Sequence, residues 1–428
     1  MRLRLLYCVA LAAALALPAE PDLDALVRIE RIRVQMSENL ARLPNYTCTQ
    51  TIERSRRRAR GRRFELLDTL RLEVALVNGK ELFAWPGSGK FEDRELSEIV
   101  GGGTSGNGNF ALHARAVFLG GAARFTFLGE VETEDRRVYQ YEYQVPRAAS
   151  GYKLRVDKAE GLAGYGGRFE ADVNTLDVVA LDVIAVDIPS HIPLKEATAR
   201  MRYRRMQIGS GDFLLPEGSE LGLTDLDGNE SRNVVHLSGC KQYGTESVIS
   251  FAEAPSGDES PAAASVAPSS PPAPPPVAGP KSEIEELPAG LVFETSLETS
   301  LRFPGAAIGD PIEARVVSDA KKKGAVMIPK GSTARGRLVG FRPLSNARLP
   351  TLSVSIVLNE LELPGGLAKV RGVIDRTTPA GLSGVRMAVD DRGVLFLSGG
   401  TGRILAKGTR FWWRLETVPT PPAATPSR

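Results

Sequence analysis

Few side chains in this chain have types and spacing that could support chemistry. Three cysteines occur, Cys8, Cys48 and Cys240, and three histidines, His113, His191 and His236. The histidines have no ligand spacing, so no metal centre is expected. Cys8 lies in an N-terminal leader described below. That leaves Cys48 and Cys240 as an even pair, which in an exported chain predicts a disulfide. The loop it closes would hold nearly two hundred residues. The chain-entropy model gives such a loop roughly 5 kcal/mol, as an upper figure.

The glycine-rich stretches fail as nucleotide sites. Gly101-Gly102-Gly103-Thr104-Ser105-Gly106 satisfies G-x-G-x-x-G in letters. That fingerprint needs a parallel strand before it and a helix after it. Here polar, helix-like Glu95-Leu96-Ser97-Glu98 precedes it and antiparallel strand patterns surround it, so a flap over a cavity mouth is the better reading. Gly87-Ser88-Gly89-Lys90 lacks the earlier glycine of a phosphate loop and has Phe91 where Ser or Thr is required. Lys330-Gly331-Ser332 reverses the order. Neither G-x-S-x-G nor H-E-x-x-H occurs. No catalytic, cofactor-binding or metal-binding residue is assigned, and no cofactor is expected. The chain reads as a non-enzyme, with a secreted hydrolase ranked third because acidic residues are plentiful.

Arg54, Arg56, Arg57, Arg58, Arg60, Arg62 and Arg63 put seven arginines into ten residues. Such a run makes a strong local positive field. The anionic partners open to an exported protein are lipid headgroups, lipopolysaccharide phosphates and cell-wall polymers. Nucleic acid is not expected, since no aromatic residues interleave for base stacking. The plainer alternative is a solvated hairpin loop between the Cys48 strand and a Phe64–Val77 strand. Trp412-Trp413 beside Phe411 is the aromatic outlier. In a strand the two indoles face opposite sides, so one enters the core, and for the other burial against the preceding domain or the linker is expected.

The elements that must position these residues begin with the leader. Arg2 and Arg4 precede a mostly apolar run from Leu5 to Leu17, and Ala14-Leu15-Ala16 or Ala19 offers a cleavage site. Residues 1–19 therefore read as a secretory signal peptide, too short to span a bilayer. The protein is expected to be exported to the bacterial envelope, periplasmic or secreted. Tyr7 is too bulky to precede a lipid-attached cysteine. The most apolar later run, Leu176 to Ile188, is broken by Asp177, Asp182 and Asp187, so no transmembrane helix is expected after cleavage. A net charge of +3 over 428 residues gives no global attraction to nucleic acid.

This length predicts more than one domain. The Pro-, Ala- and Ser-rich stretch 253–284 cannot bury a core and reads as a disordered, semi-stiff linker. Residues 419–428 read as a disordered tail. The first domain, 22–252, opens with an amphipathic helix carrying Leu26, Ile29, Ile32, Met36, Leu40 and Leu43 and stopped by Pro44. Then the period becomes two. Leu70, Leu72, Val74 and Leu76 share one face, and Asn78-Gly79 turns the chain into Glu81–Trp85. Tyr139, Tyr141, Tyr143 and Val145 line another strand. Further strands are expected at 125–132, 152–157, 168–173, 176–187, 199–208, 219–225, 232–238 and 246–251. The stretch 92–118 interrupts them with helical ends. The fold class is mainly β (α+β): a curved antiparallel sheet with an N-terminal helix, the linker, then a small all-β barrel at 285–418.

In element order, 22–252 resembles the half-barrels of periplasmic lipoprotein carriers and lipoprotein-sorting proteins (LolA/LolB-like). The resemblance implies an apolar cavity and carries no residue over. In 285–418, Leu287-Pro288-Ala289-Gly290, then Gly309-Asp310, then Ile328-Pro329-Lys330-Gly331-Ser332 resembles the β-barrel module of conjugal-transfer (type IV secretion) outer-membrane scaffold proteins. Leu405-Ala406-Lys407-Gly408-Thr409 echoes the third motif, as if two corners of one barrel were related. The leading expectation is an exported binding protein for an apolar or lipid-like ligand. The alternative is an envelope adaptor docking a larger assembly through its barrel.

Overall fold

The computed structural model describes residues 23–243 and 287–417, apart from 89, 93–95, 101–111, 134, 304, 345–348, 378–384 and 400–402. The leader, the Gly101–Gly106 loop, the strand expected at 246–251, the linker and the tail lie outside the described residues.

Helix α1 spans Leu23–Arg42. Its buried stripe runs Ala25, Ile29, Ile32, Met36 and Leu40, at three- and four-residue steps. Leu26, expected inside, is 49% exposed. Ala25 takes the inner position instead, and its carbonyl accepts from the Tyr141 hydroxyl at 3.2 Å. One residue further along, the helix has turned about 100° away from the sheet.

Twelve strands follow: β1 Tyr46–Arg57, β2 Glu65–Val77, β3 Lys80–Ala84, β4 Arg124–Glu132, β5 Arg137–Val145, β6 Lys153–Val156, β7 Ala159–Leu162, β8 Gly164–Asp172, β9 Val178–Val186, β10 Leu194–Ile208, β11 Gly211–Asp225 and β12 Glu230–Gln242. Ten of them form one curved antiparallel sheet in the order β3-β2-β1-β12-β11-β10-β9-β8-β5-β4. The remaining pair, β6 and β7, makes a separate hairpin. The alternation that predicted β2 holds, with Leu70, Leu72, Val74 and Leu76 all buried. Asn78 and Gly79 both take positive φ, 51° and 79°, as a tight two-residue hairpin requires.

In the second half, strands 333–344, 311–316, 292–297, 410–416, 366–377 and 351–363 pair in that order, and 333–344 pairs again with 351–363. That closes a six-stranded antiparallel barrel, with 394–398 and 386–389 added outside. Its core includes Phe293, Leu297, Ile312, Leu338, Ile356, Phe411 and Trp413. Trp413 donates its indole N–H to Thr295 Oγ1 at 2.7 Å, inside the barrel. Trp412 is half-buried under the Arg376 guanidinium, 4.3 Å from the ring centroid. Trp413 thus enters the core as the strand alternation required, and Trp412, facing outward, packs against Arg376 of its own barrel where burial against the preceding domain or linker was expected. The two echoing corners are built alike. Gly331 N–H donates to Val316 and Gly408 N–H to Leu297; those residues donate back to the carbonyls of Ser332 and Thr409.

Sheet and barrel meet directly. β3 covers only residues 73–77 of β2, leaving the edge of residues 65–72 open. Ile308 takes that edge, accepting from Arg71 N–H at 2.8 Å and donating to Thr69 at 2.7 Å. The Arg71 side chain pairs with Asp310, and Arg337 lies over the Trp85 ring at 5.1 Å. Gly309, at φ +104°, sits where a Cβ would strike the Arg71 carbonyl and the Trp85 indole. Only glycine permits this approach.

Candidate functional site

Strand order determines what lies across the inner face of the ten-stranded sheet. β3 is one edge and β4 the other, so the chain between them must cross from edge to edge. It does so through α2, Leu96–Val100, and through α3, Leu112–Ala114, which runs into a π-helical turn at Arg115–Leu119. Leu96, Ala114, Val117 and Phe118 are fully buried there beside α1.

These side chains meet an aromatic wall. Phe118 packs edge-on to Phe169 at 5.0 Å, and Tyr141 stacks on Phe169 at 5.2 Å. Phe125 and Phe127 extend the cluster to β4. Tyr152 lies between Tyr165 and His113. Burial pushes the His113 imidazole down to about 4 and the Tyr152 phenol up to about 12. Arg33 ties the π-turn to α1, its Nε donating to the Phe118 carbonyl at 3.1 Å.

α1 itself is latched by charge. Asp177, buried, accepts from Asn39 at 3.0 Å and from Arg205 at 2.7 and 3.0 Å. Burial alone would raise this carboxyl. The hydrogen bonds from Arg205 and Asn39, with the arginine's charge, outweigh it and hold the group below its usual range. Arg28 covers the Phe127 and Tyr139 rings at 4.7 and 4.4 Å.

The carrier resemblance implied an apolar cavity, and here the structure departs from it. Among the described residues α1 and the crossing segment fill the inner face. Two clefts lie elsewhere: about 270 Å³ on the outer face around Phe64, Gly222 and Arg232, and about 160 Å³ on the barrel at Pro288, Val370 and Leu415. Both are smaller than the roughly 300–1,000 Å³ of ordinary ligand pockets.

Cys48 and Cys240 are joined by a disulfide with Cα atoms 4.1 Å apart, linking the sheet's first strand to its last. The arginine run divides. Arg54 pairs with Asp68 through two hydrogen bonds and Arg57 with Glu230 through three. Arg56, Arg58, Arg60, Arg62 and Arg63 are exposed around the hairpin tip. Among the described residues no His, Cys, Asp and Glu side chains cluster as a metal site would require, and no helix is long and apolar enough to cross a membrane.

The chain matches no protein-family model and no curated protein. Solved structures do match. A LolA superfamily protein from Nitrosomonas europaea is 13% identical over 50% of this chain and 94% of its own, with a TM-score of 0.27. A protein domain assigned to outer membrane lipoprotein sorting, from Vibrio parahaemolyticus, is 14% identical over 50% of this chain and 92% of its own, at 0.26. ComB10 of the Com type IV secretion system of Helicobacter pylori is 13% identical over 31% of this chain and 92% of its own, at 0.19. These are the two groups that the element order and barrel motifs resembled. With scores this low, functional argument rests on the chain's own geometry.

The sequence reading missed His113, Phe118 and the Asp177–Arg205–Asn39 latch. The first two sit in a stretch whose role depends on strand order. Asn39 inside an apolar helical stripe was the one readable signal, since a buried amide needs a partner.

Proposed function

We propose that this is an exported envelope protein that works by binding, and that its inner sheet face accepts an apolar or lipid-like ligand when residues 96–100 and 112–119 withdraw. The observation carrying this reading is the construction of that segment. It covers an aromatic wall with helices of three to five residues, far below the length at which a helix is stable alone. Besides the Arg33 hydrogen bond to the Phe118 carbonyl, it is seated by apolar side chains such as Leu96 and Phe118, which a ligand's apolar chain can replace. A π-turn at that point suits an element that rearranges. Native mass spectrometry of the full chain, purified from a bacterial periplasm, tests it. Added mass that dissociates as lipid supports the ligand reading. A clean apo mass, unchanged after incubation with phospholipid, transfers the function to the second reading, an envelope adaptor that docks through its barrel. The filled inner face favours that alternative.

A further inference from the structure

The tip of the β1–β2 hairpin combines two features that the arginine run alone did not reveal. Exposed leucines stand among the arginines. Strands β1 and β2 slip register between Arg54 and Ser55, so that Ser55 opposes Leu66 and Arg54 opposes Asp68. The bulge leaves Leu67 without an opposite residue, and Leu66 and Leu67 are 51% and 48% exposed in succession. A second tip, the Asp225–Glu230 turn, stands against the first. Ala59 N–H donates to Asn229 Oδ1 at 3.3 Å, and Arg57 grips Glu230. That turn presents Leu226, 66% exposed.

The charges are arranged to match. Arg54 and Arg57 spend theirs on Asp68 and Glu230, which stiffens the base of the hairpin. Arg57 and Arg232 also lie over the Phe64 ring, 4.7 and 5.7 Å from its centroid. Arg58, Arg60, Arg62 and Arg63 form no ion pair among the described residues. Two braced hairpin ends therefore carry a cluster of unspent guanidinium groups interspersed with three exposed leucines. A soluble polyanion would need the arginines only. Apolar side chains beside cations suit the boundary between headgroups and acyl chains, where leucine enters and arginine stays with phosphate.

We infer that the paired tips 56–67 and 225–229 dock this protein on the surface of an anionic phospholipid bilayer. The leucines enter the interface and the free arginines hold headgroup phosphates. This does not rest on the ligand reading, since the tips lie at the sheet's end and not on its inner face.

Flotation of the full chain with vesicles tests it, comparing phosphatidylcholine alone with phosphatidylcholine containing about a third phosphatidylglycerol, an anionic content that attracts polybasic segments. The wild type is expected to float with the anionic vesicles only and to lose binding as salt rises. The triple variant Arg60→Ser/Arg62→Ser/Arg63→Ser is expected to bind at least about tenfold more weakly, given the worth of each cation near such a surface. Leu67→Ser/Leu226→Ser is expected to weaken binding several-fold with the charge unchanged. All these side chains are exposed and make no pairing that folding needs. Failure of the wild type to float, or full binding by the arginine variant, overturns the proposal. Full binding by the leucine variant overturns it too, and makes the tip a contact for soluble polyanions.

Discussion

The ten-stranded sheet and the six-stranded barrel both bury an apolar interior, but they close it differently. The barrel is sealed by its own strands: 333–344 pairs with both neighbours, and Trp413, Phe411 and Phe293 fill the centre. The sheet remains open at β3 and β4, and among the described residues its inner face is covered by α1 and by 96–100 and 112–119. A closed barrel has no part that can leave without breaking strand pairing. The sheet has a cover whose removal leaves every strand ladder intact. Capacity to open therefore belongs to the sheet.

The largest expected effect comes from the disulfide that ties β1 to β12, neighbours in that sheet. Cys48→Ser should lower the sheet's melting temperature, by up to roughly 5 kcal/mol of stability from loop entropy. The barrel's transition should stay in place. Calorimetry under oxidising conditions reads both, and equal melting of variant and wild type would remove the disulfide from the account.

Next comes a matched pair of core truncations. Trp413→Ala in the barrel should cost about 3–5 kcal/mol, with a lost Thr295 hydrogen bond on top. Phe118→Ala removes a ring just as buried, yet from a cover that can reseat or lift, so its cost should be smaller. It should also raise uptake of a fluorescent fatty acid, which Trp413→Ala should not. Denaturant titration and dye binding check this. Equal cost and equal dye uptake would end the distinction between the two interiors.

Much of the architecture was readable in the chain because burial on one face imposes a period. Leu70 to Leu76, Tyr139 to Val145 and the α1 stripe declare their elements directly. The barrel's Gly331 and Gly408 corners announced their kinship as a repeated motif. What could not be read was strand order. Nothing in residues 85–123 states that β3 and β4 lie at opposite edges, so nothing states that this segment must cross the inner face and fill it. The contact between sheet and barrel was hidden for a related reason: Gly309-Asp310 stood out only as part of the barrel motif, and their second role, with Ile308, needs the open edge of β2. The arginine run was visible as charge. Its division into braced and free members depends on where Asp68 and Glu230 fold.

The sheet–barrel contact gives a smaller effect. Gly309→Ala forces a side chain into the Arg71 carbonyl and the Trp85 ring. It should separate the two bodies while each still folds, at a cost of about 1–3 kcal/mol typical of overpacking. Trp85 begins the chain that leads into α2, so undocking should also loosen the cover. Small-angle scattering should show a larger radius of gyration, and proteolysis should cut earlier near residue 86. An unchanged scattering profile would mean that the contact tolerates the methyl group.

The smallest effect is with pH, and it separates cover from latch. His113 sits in α3, with burial holding its imidazole at about 4 against an ordinary 6.5. The unfolded or lifted segment binds a proton more readily than the seated one, so stability is present above 6.5 and drains as pH falls toward 4. Asp177 behaves in the same sense but in a lower window. Its carboxyl lies below 3.8 when the latch is formed, so α1 keeps its anchor until the solution is more acidic than that. Acidification should therefore lift residues 112–119 first and release α1 only later. Hydrogen exchange, corrected for intrinsic rates, should show amides of 112–119 losing protection between neutrality and the lower end of the His113 window. Amides of Ile29–Leu40 should keep theirs throughout it. Loss of both together would mean that cover and helix open as one body, and the sheet would then resemble the barrel in having no separately removable part.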